Sequence, residues 1–128
     1  MWHVFARGAR RLGIFWDEED YLTFIGILKK TLDATGCCLW AYALMSNHYH
    51  FVIEATTEEL TRCMRRVNYL YSKYHNLRHG LSGHTFDGPY KAYAQGTDFL
   101  TLWRIAYVFL NPNTSRIDGL TKNPPIGR

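Results

Sequence analysis

Residues 37–45 (Cys-Cys-Leu-Trp-Ala-Tyr-Ala-Leu-Met) are apolar almost without a break, and Ser46-Asn47 then turns the chain into His48-Tyr49-His50-Phe51-Val52-Ile53-Glu54. An apolar run of this length suits a strand covered on both faces. Ser and Asn are turn formers, and strand character resumes at once behind them. The reading is a hairpin in the middle of a sheet, around which everything else has to pack.

Two amphipathic helices flank this hairpin. Asp17 is a good N-cap with acid throughout the first turn, and Tyr21, Phe24, Ile25, Leu28 and Leu32 recur at helical spacing until Gly36 ends residues 17–34. Thr56 or Thr57 opens the second helix, with Leu60, Met64, Val67, Leu70 and Tyr71 as its buried stripe and Leu77 as an extension of it. Residues 2–7 read as a first strand, 79–89 as a loop rich in Gly, Ser and His, and 90–95 as a fourth strand. A last helix would start near Asp98 and end at Asn111, because Pro112 disfavours helical geometry in the residue before it. The order predicts an α+β fold, a ferredoxin-like split βαβ sandwich. Its four-stranded antiparallel sheet carries both helices on one face, and the extra C-terminal helix carries a tyrosine. Residues 1–120 would be one domain and 121–128 a loose tail.

Composition agrees. The 128 residues are 47% hydrophobic and 16% aromatic, enough for one folded core without staples. No apolar stretch approaches the ~20 residues needed to span a bilayer, and the N-terminus lacks the layout of a signal peptide, so a cytoplasmic protein with no membrane partner is expected. Cys37, Cys38 and Cys63 form no disulfide or metal-knuckle pattern and read as reduced core thiols. The net charge of +4 is unevenly spread. Base gathers at Arg7, Arg10 and Arg11, and again at Arg62, Arg65, Arg66, Lys73 and Arg78, interleaved with Tyr69, Tyr71 and Tyr74. A positive surface with aromatics suits a polyanion with flat bases, although a solvated helix face would look the same.

Side chains two apart on a strand point the same way, so His48 and His50 would project from one sheet face while Tyr49, Phe51 and Ile53 pack on the other. Neutral imidazole is a common metal ligand. An isolated His-x-His is weak evidence, but here a turn holds it at the centre of the sheet. Tyr107 and Asn111, four apart on the last helix, share a face and could bring a phenolic and an amide oxygen to one site. A phenol, with an ordinary pKa of about 10, is a poor nucleophile unless a cation lies near the reacting phosphate. A covalent phosphotyrosine would keep the energy of the broken phosphodiester for a later joining step.

The stretches His3-Val4-Phe5-Ala6-Arg7-Gly8, Ala41 through Ile53, Gly88-Pro89-Tyr90-Lys91-Ala92 and Tyr107-Val108-Phe109-Leu110-Asn111-Pro112 resemble single-tyrosine transposases of the HUH (His-hydrophobic-His) superfamily, and within it the REP-associated tyrosine transposases. The likeness runs from about residue 3 to residue 116. It implies cleavage of single-stranded DNA beside a small hairpin through a 5′-phosphotyrosine, with Mg²⁺ or Mn²⁺ as cofactor. His48 and His50 would be metal ligands, Asn111 the third ligand and Tyr107 the nucleophile. Arg7, Arg10, Arg11, Arg65, Arg66 and Lys91 are the candidate DNA contacts. Relatives include dimers with shared active sites and others acting as monomers, so a homodimer and a monomer both stay open. The chain departs from the family pattern after Pro112 and before Tyr90, at the flanks of the site, which bears on substrate recognition. Two other readings compete: a non-catalytic single-stranded DNA/RNA-binding module on the same fold, and a replication or relaxase nickase, whose tyrosine usually sits elsewhere in the chain order.

Overall fold

The computed structural model describes residues 1–10, 13–94 and 126–127. Strand β1 (Trp2–Arg7) leads to helix α1 (Glu18–Thr35), strands β2 (Cys38–Met45) and β3 (His48–Glu54), helix α2 (Thr57–His79) and strand β4 (Lys91–Ala94), and Ile126–Gly127 forms a short β5. The sheet is antiparallel throughout, in the order β4-β1-β3-β2-β5. The first four strands and two helices make the expected split βαβ sandwich. Residues 121–128 were expected to be loose, yet Ile126 and Gly127 pair with Leu39 and Cys38. An edge strand leaves backbone donors and acceptors unpaired, and a passing extended segment can satisfy them. The expected C-terminal helix lies outside the described residues.

Local chemistry sets the element ends. The Asp17 side chain accepts from the Asp20 N–H, and the helix stops at Gly36, whose φ of 80° is the left-handed geometry that favours glycine. Thr56 and Glu59 form a reciprocal capping box at the start of α2. The hairpin register pairs Met45 with His48 across the two-residue turn and continues to Leu39 with Ile53, with one bulge at Trp40.

The helices cover one face of the sheet. Phe24, Leu28 and Leu32 from α1 and Leu60, Cys63, Met64, Val67 and Tyr71 from α2 pack on Val4, Ala6, Tyr42, Leu44, Tyr49, Phe51 and Ile53. Tyr49 is fully buried and its hydroxyl donates to Asn68 Oδ1 at 2.5 Å. The α2 stripe runs on to His75 rather than Leu77, which is 83% exposed. Four residues beyond Tyr71 stays on the buried face; six does not. The loop before β4 also reaches the core, since Thr85 and Phe86 are buried. Asp87 N–H bonds the Arg7 carbonyl at 2.7 Å and Ala9 N–H the Thr85 carbonyl at 2.9 Å, which fastens the loop to the end of β1. All three cysteines are buried and none is in a disulfide.

Candidate active site

The strand register arranges the face opposite the helices in cross-strand rows. One row runs Tyr93, His3, Val52, Ala41; the next Lys91, Phe5, His50, Ala43; the last Arg7, His48, Met45. Directly opposed residues in an antiparallel pair share a face, so the pairing places His48 and His50 beside Arg7, Phe5 and Lys91.

His48 and His50 are half-buried neighbours with ring centroids 5.2 Å apart. His50 is flanked by His3 at 5.3 Å and by Phe5 at 5.6 Å, both stacked. His3 Nε2 lies 3.1 Å from His50 Nδ1. With the His50 Nδ1–H as donor of that bond, the Nε2 lone pair is left free for a cation. Phe5 stacks in turn on Tyr93 (6.0 Å), which is 51% exposed. Phe5, Arg7, Asn47, His48 and His50 line an open cavity of about 480 Å³.

Electrostatics keep these imidazoles uncharged. Burial pushes His48 below its ordinary pKa, and the Arg7 charge adds to this. Burial, then the neighbouring His48 and His3, bring His50 down to about 4. His3 is lowered by burial. Neutral His48 and His50 can act as lone-pair donors at neutral pH, as cation binding requires, while the His3 lone pair accepts the His50 Nδ1–H. Asn47, on the same cavity, also has a buried amide oxygen with no hydrogen-bond partner. The donor set therefore suits a divalent cation.

The other expected contacts divide. Arg7 and Lys91 are exposed on the His face. Arg65 and Arg66 are exposed on α2, on the helix side of the sheet, beside Arg62 and the 64% exposed Tyr69. Arg10 donates to the Ser82 carbonyl at 2.6 Å and to Thr85 Oγ1 at 3.5 Å, so its guanidinium holds a loop. Arg78, counted above with the polyanion surface, instead contacts Asp17 (2.6 Å), Glu19 (2.6 Å) and Asp20 (2.8 Å). Arg11, Tyr107 and Asn111 lie outside the described residues.

The family described as Transposase IS200 like matches residues 1–108. The chain belongs to the IS200-like transposase family. No curated protein matches it. Solved structures repeat the fold of this transposase-family chain at low identity. A candidate transposase from Deinococcus radiodurans R1 superimposes with a TM-score of 0.59 at 15% identity, over 88% of this chain and 90% of that one. A REP-associated tyrosine transposase bound to a REP hairpin gives 0.62 at 11% identity, over 87% of this chain and 65% of that one. No helix among the described residues is long and apolar enough to cross a membrane.

Sequence reasoning missed His3 and the Phe5–Tyr93 stack. Alternation along residues 2–7 was enough to put His3, Phe5 and Arg7 on one face. Their meeting with His50 needed the β1–β3 register, which no single segment encodes. The described residues also hold a separate group, Asp20, His75 and His79, whose ligand atoms all lie within 4.8 Å of one another.

Proposed function

We propose that the chain cleaves and rejoins single-stranded DNA beside a hairpin, through a 5′-phosphotyrosine on Tyr107 assisted by Mg²⁺ or Mn²⁺. One observation carries this reading. In a chain of the IS200-like transposase family, two uncharged imidazoles stand side by side on the open sheet face, in a cavity shared with Arg7. His48 and His50 hold the cation with Asn111 as third ligand. When bound, the cation polarises the scissile phosphate and offsets charge building up on its oxygens. Tyr107 loses its phenolic proton and forms the O–P bond, while the P–O3′ bond breaks and the 3′-oxygen leaves and takes up a proton. The ester keeps the reactivity of the broken linkage, so a 3′-hydroxyl can attack it and restore a phosphodiester. Arg7 and Lys91 flank the pair and hold the strand's phosphates, and the Phe5–Tyr93 stack offers flat faces to its bases. Arg65 and Arg66 give a second basic surface for the hairpin, and Arg11 is a further DNA contact.

His3 is a positioning residue in this scheme, since it fixes the His50 tautomer. His3→Ala is expected to weaken Mn²⁺ binding about tenfold, the usual scale for losing an outer partner of a metal ligand. His3→Gln, whose amide oxygen can accept the same Nδ1–H, should recover most of it. Titration calorimetry on the three proteins checks this.

The exposed Phe5–Tyr93 stack would equally serve a module that only binds single strands. The readings separate in a cleavage assay on labelled single-stranded DNA with and without a hairpin, in Mn²⁺ or in EDTA. Preferential cutting of the hairpin-bearing strand, lost in EDTA, is the expected result. Equal binding of all strands with no cutting in Mn²⁺ would make the binding module the better account.

A further inference from the structure

Across the sheet from the His pair, α1 and α2 meet around Asp20, which is fully buried. Its Oδ1 accepts from Tyr74 Oη and Arg78 Nη1, both at 2.8 Å. Its Oδ2 accepts from Trp16 N–H at 2.9 Å and lies 2.9 Å from His79 Nε2. His75 Nε2 is 4.0 Å from the same oxygen. His75 is itself fully buried, and neither of its ring nitrogens has a hydrogen-bond partner. Buried polar side-chain atoms almost always find one, so an imidazole with both nitrogens orphaned beside a carboxylate points to a ligand between them.

We propose that Asp20, His75 and His79 form a second cation site, suited to Zn²⁺, that ties the start of α1 to the end of α2. His75 and His79 are four apart on one helix face, with ring centroids 4.6 Å apart. Tetrahedral Zn²⁺ binds nitrogen and oxygen at ~2.0–2.1 Å, which requires ligand atoms roughly 3.4 Å from one another. The 2.9 Å and 4.0 Å separations straddle that value, so small side-chain rotations close the site. Two imidazoles and a carboxylate favour Zn²⁺ over Mg²⁺, which prefers oxygen donors. Tyr74 and Arg78 occupy Oδ1 and leave Oδ2 toward the histidines, the outer-partner arrangement that orients a ligating carboxylate. Charge also favours a cation. Arg78 is shared by three carboxylates, those of Asp17, Glu19 and Asp20, and the Arg10 charge near His75 leaves the group still net negative. The Trp16 indole lies 3.9 Å from the His79 ring and 5.5 Å from that of His75, which shields the site from water.

The test uses the full chain carrying His48→Ala and His50→Ala, so that the sheet-face pair contributes nothing. After EDTA treatment and dialysis, Zn²⁺ is titrated by calorimetry and Co²⁺ by visible absorption. The site predicts one saturable equivalent, tetrahedral Co²⁺ bands and a higher melting temperature with Zn²⁺. Adding His79→Gln, at a half-buried position, should weaken binding at least about tenfold, and His75→Gln should do the same. Circular dichroism of each apoprotein reports whether the fold is kept, and His79→Gln decides the matter if His75→Gln does not fold. No saturable binding in the double-alanine background, or binding unchanged by His79→Gln, would overturn the proposal and leave the reading of the His48–His50 site untouched.

Discussion

His48→Ala and His50→Ala are each expected to lower the rate of cation-dependent strand cleavage by at least about a hundredfold, beyond the loss of an outer partner alone. Both side chains stand on the face that the helices leave uncovered. Their truncation should therefore change stability by no more than about 1 kcal/mol, as for substitutions outside the core. Under the proposed ligand set one imidazole and Asn111 remain in each single variant, so raised Mn²⁺ should partly restore each single variant but not the double one. Single-turnover cleavage at saturating DNA, measured across a Mn²⁺ series, separates a lost ligand from a lost fold. A stability loss that tracked the activity loss would assign the histidines a structural role instead.

The largest stability effect is expected at Asp20. Burial by itself raises its pKa, but bonds from the Trp16 N–H, Tyr74, Arg78 and His79 more than offset this and hold it below the ordinary carboxylate range. Asp20→Ala leaves the Trp16 N–H and the Tyr74 hydroxyl without that acceptor and opens a buried charge network. In EDTA, urea unfolding should show a loss of about 3 kcal/mol. Arg62→Ala, at an exposed position on α2, should stay within about 0.5 kcal/mol. The same network predicts acid sensitivity in two windows. Asp17 is held at about 2, first by its bond to Arg78, and Asp20 is also lowered. The Asp17 contribution is present above the unfolded value of about 3.9 and is lost as pH falls through about 2, and that of Asp20 is likewise lost as pH falls through its lowered value. Burial first, then the His79 charge, brings His75 down to about 4. Its contribution is present above about 6.5 and lost as pH falls through about 4. Stability should therefore decline from pH 6.5 downward and steepen below pH 4, and Asp20→Ala should flatten the lower part. Urea midpoints at a series of pH values check this.

The fold was legible where the signal was local. The apolar run, the Ser46-Asn47 turn and the Asp17 cap gave the hairpin and α1 to within a residue or so, because each follows from residues adjacent in the chain. The face carrying His48 and His50 followed from strand alternation alone. What escaped depended on partners far apart. Arg78 read as surface charge because its carboxylates Asp17 and Asp20 lie 61 and 58 positions away on another helix. Leu77 fits the α2 stripe by residue type, but helical phase puts His75 there once a second helix packs against it. His3 needed the β1–β3 register, and the β5 pairing rests on backbone bonds that two residues, Ile126 and Gly127, cannot announce.

The most direct test of the central claim is covalent attachment. Wild-type protein and Tyr107→Phe are incubated with labelled single-stranded hairpin DNA and Mn²⁺, then denatured in detergent and separated by size. The account predicts a protein–DNA adduct with the wild type, none with Tyr107→Phe, and an unchanged hairpin affinity between the two. An adduct that persists in Tyr107→Phe, or cleavage that yields no adduct in the wild type, would contradict it.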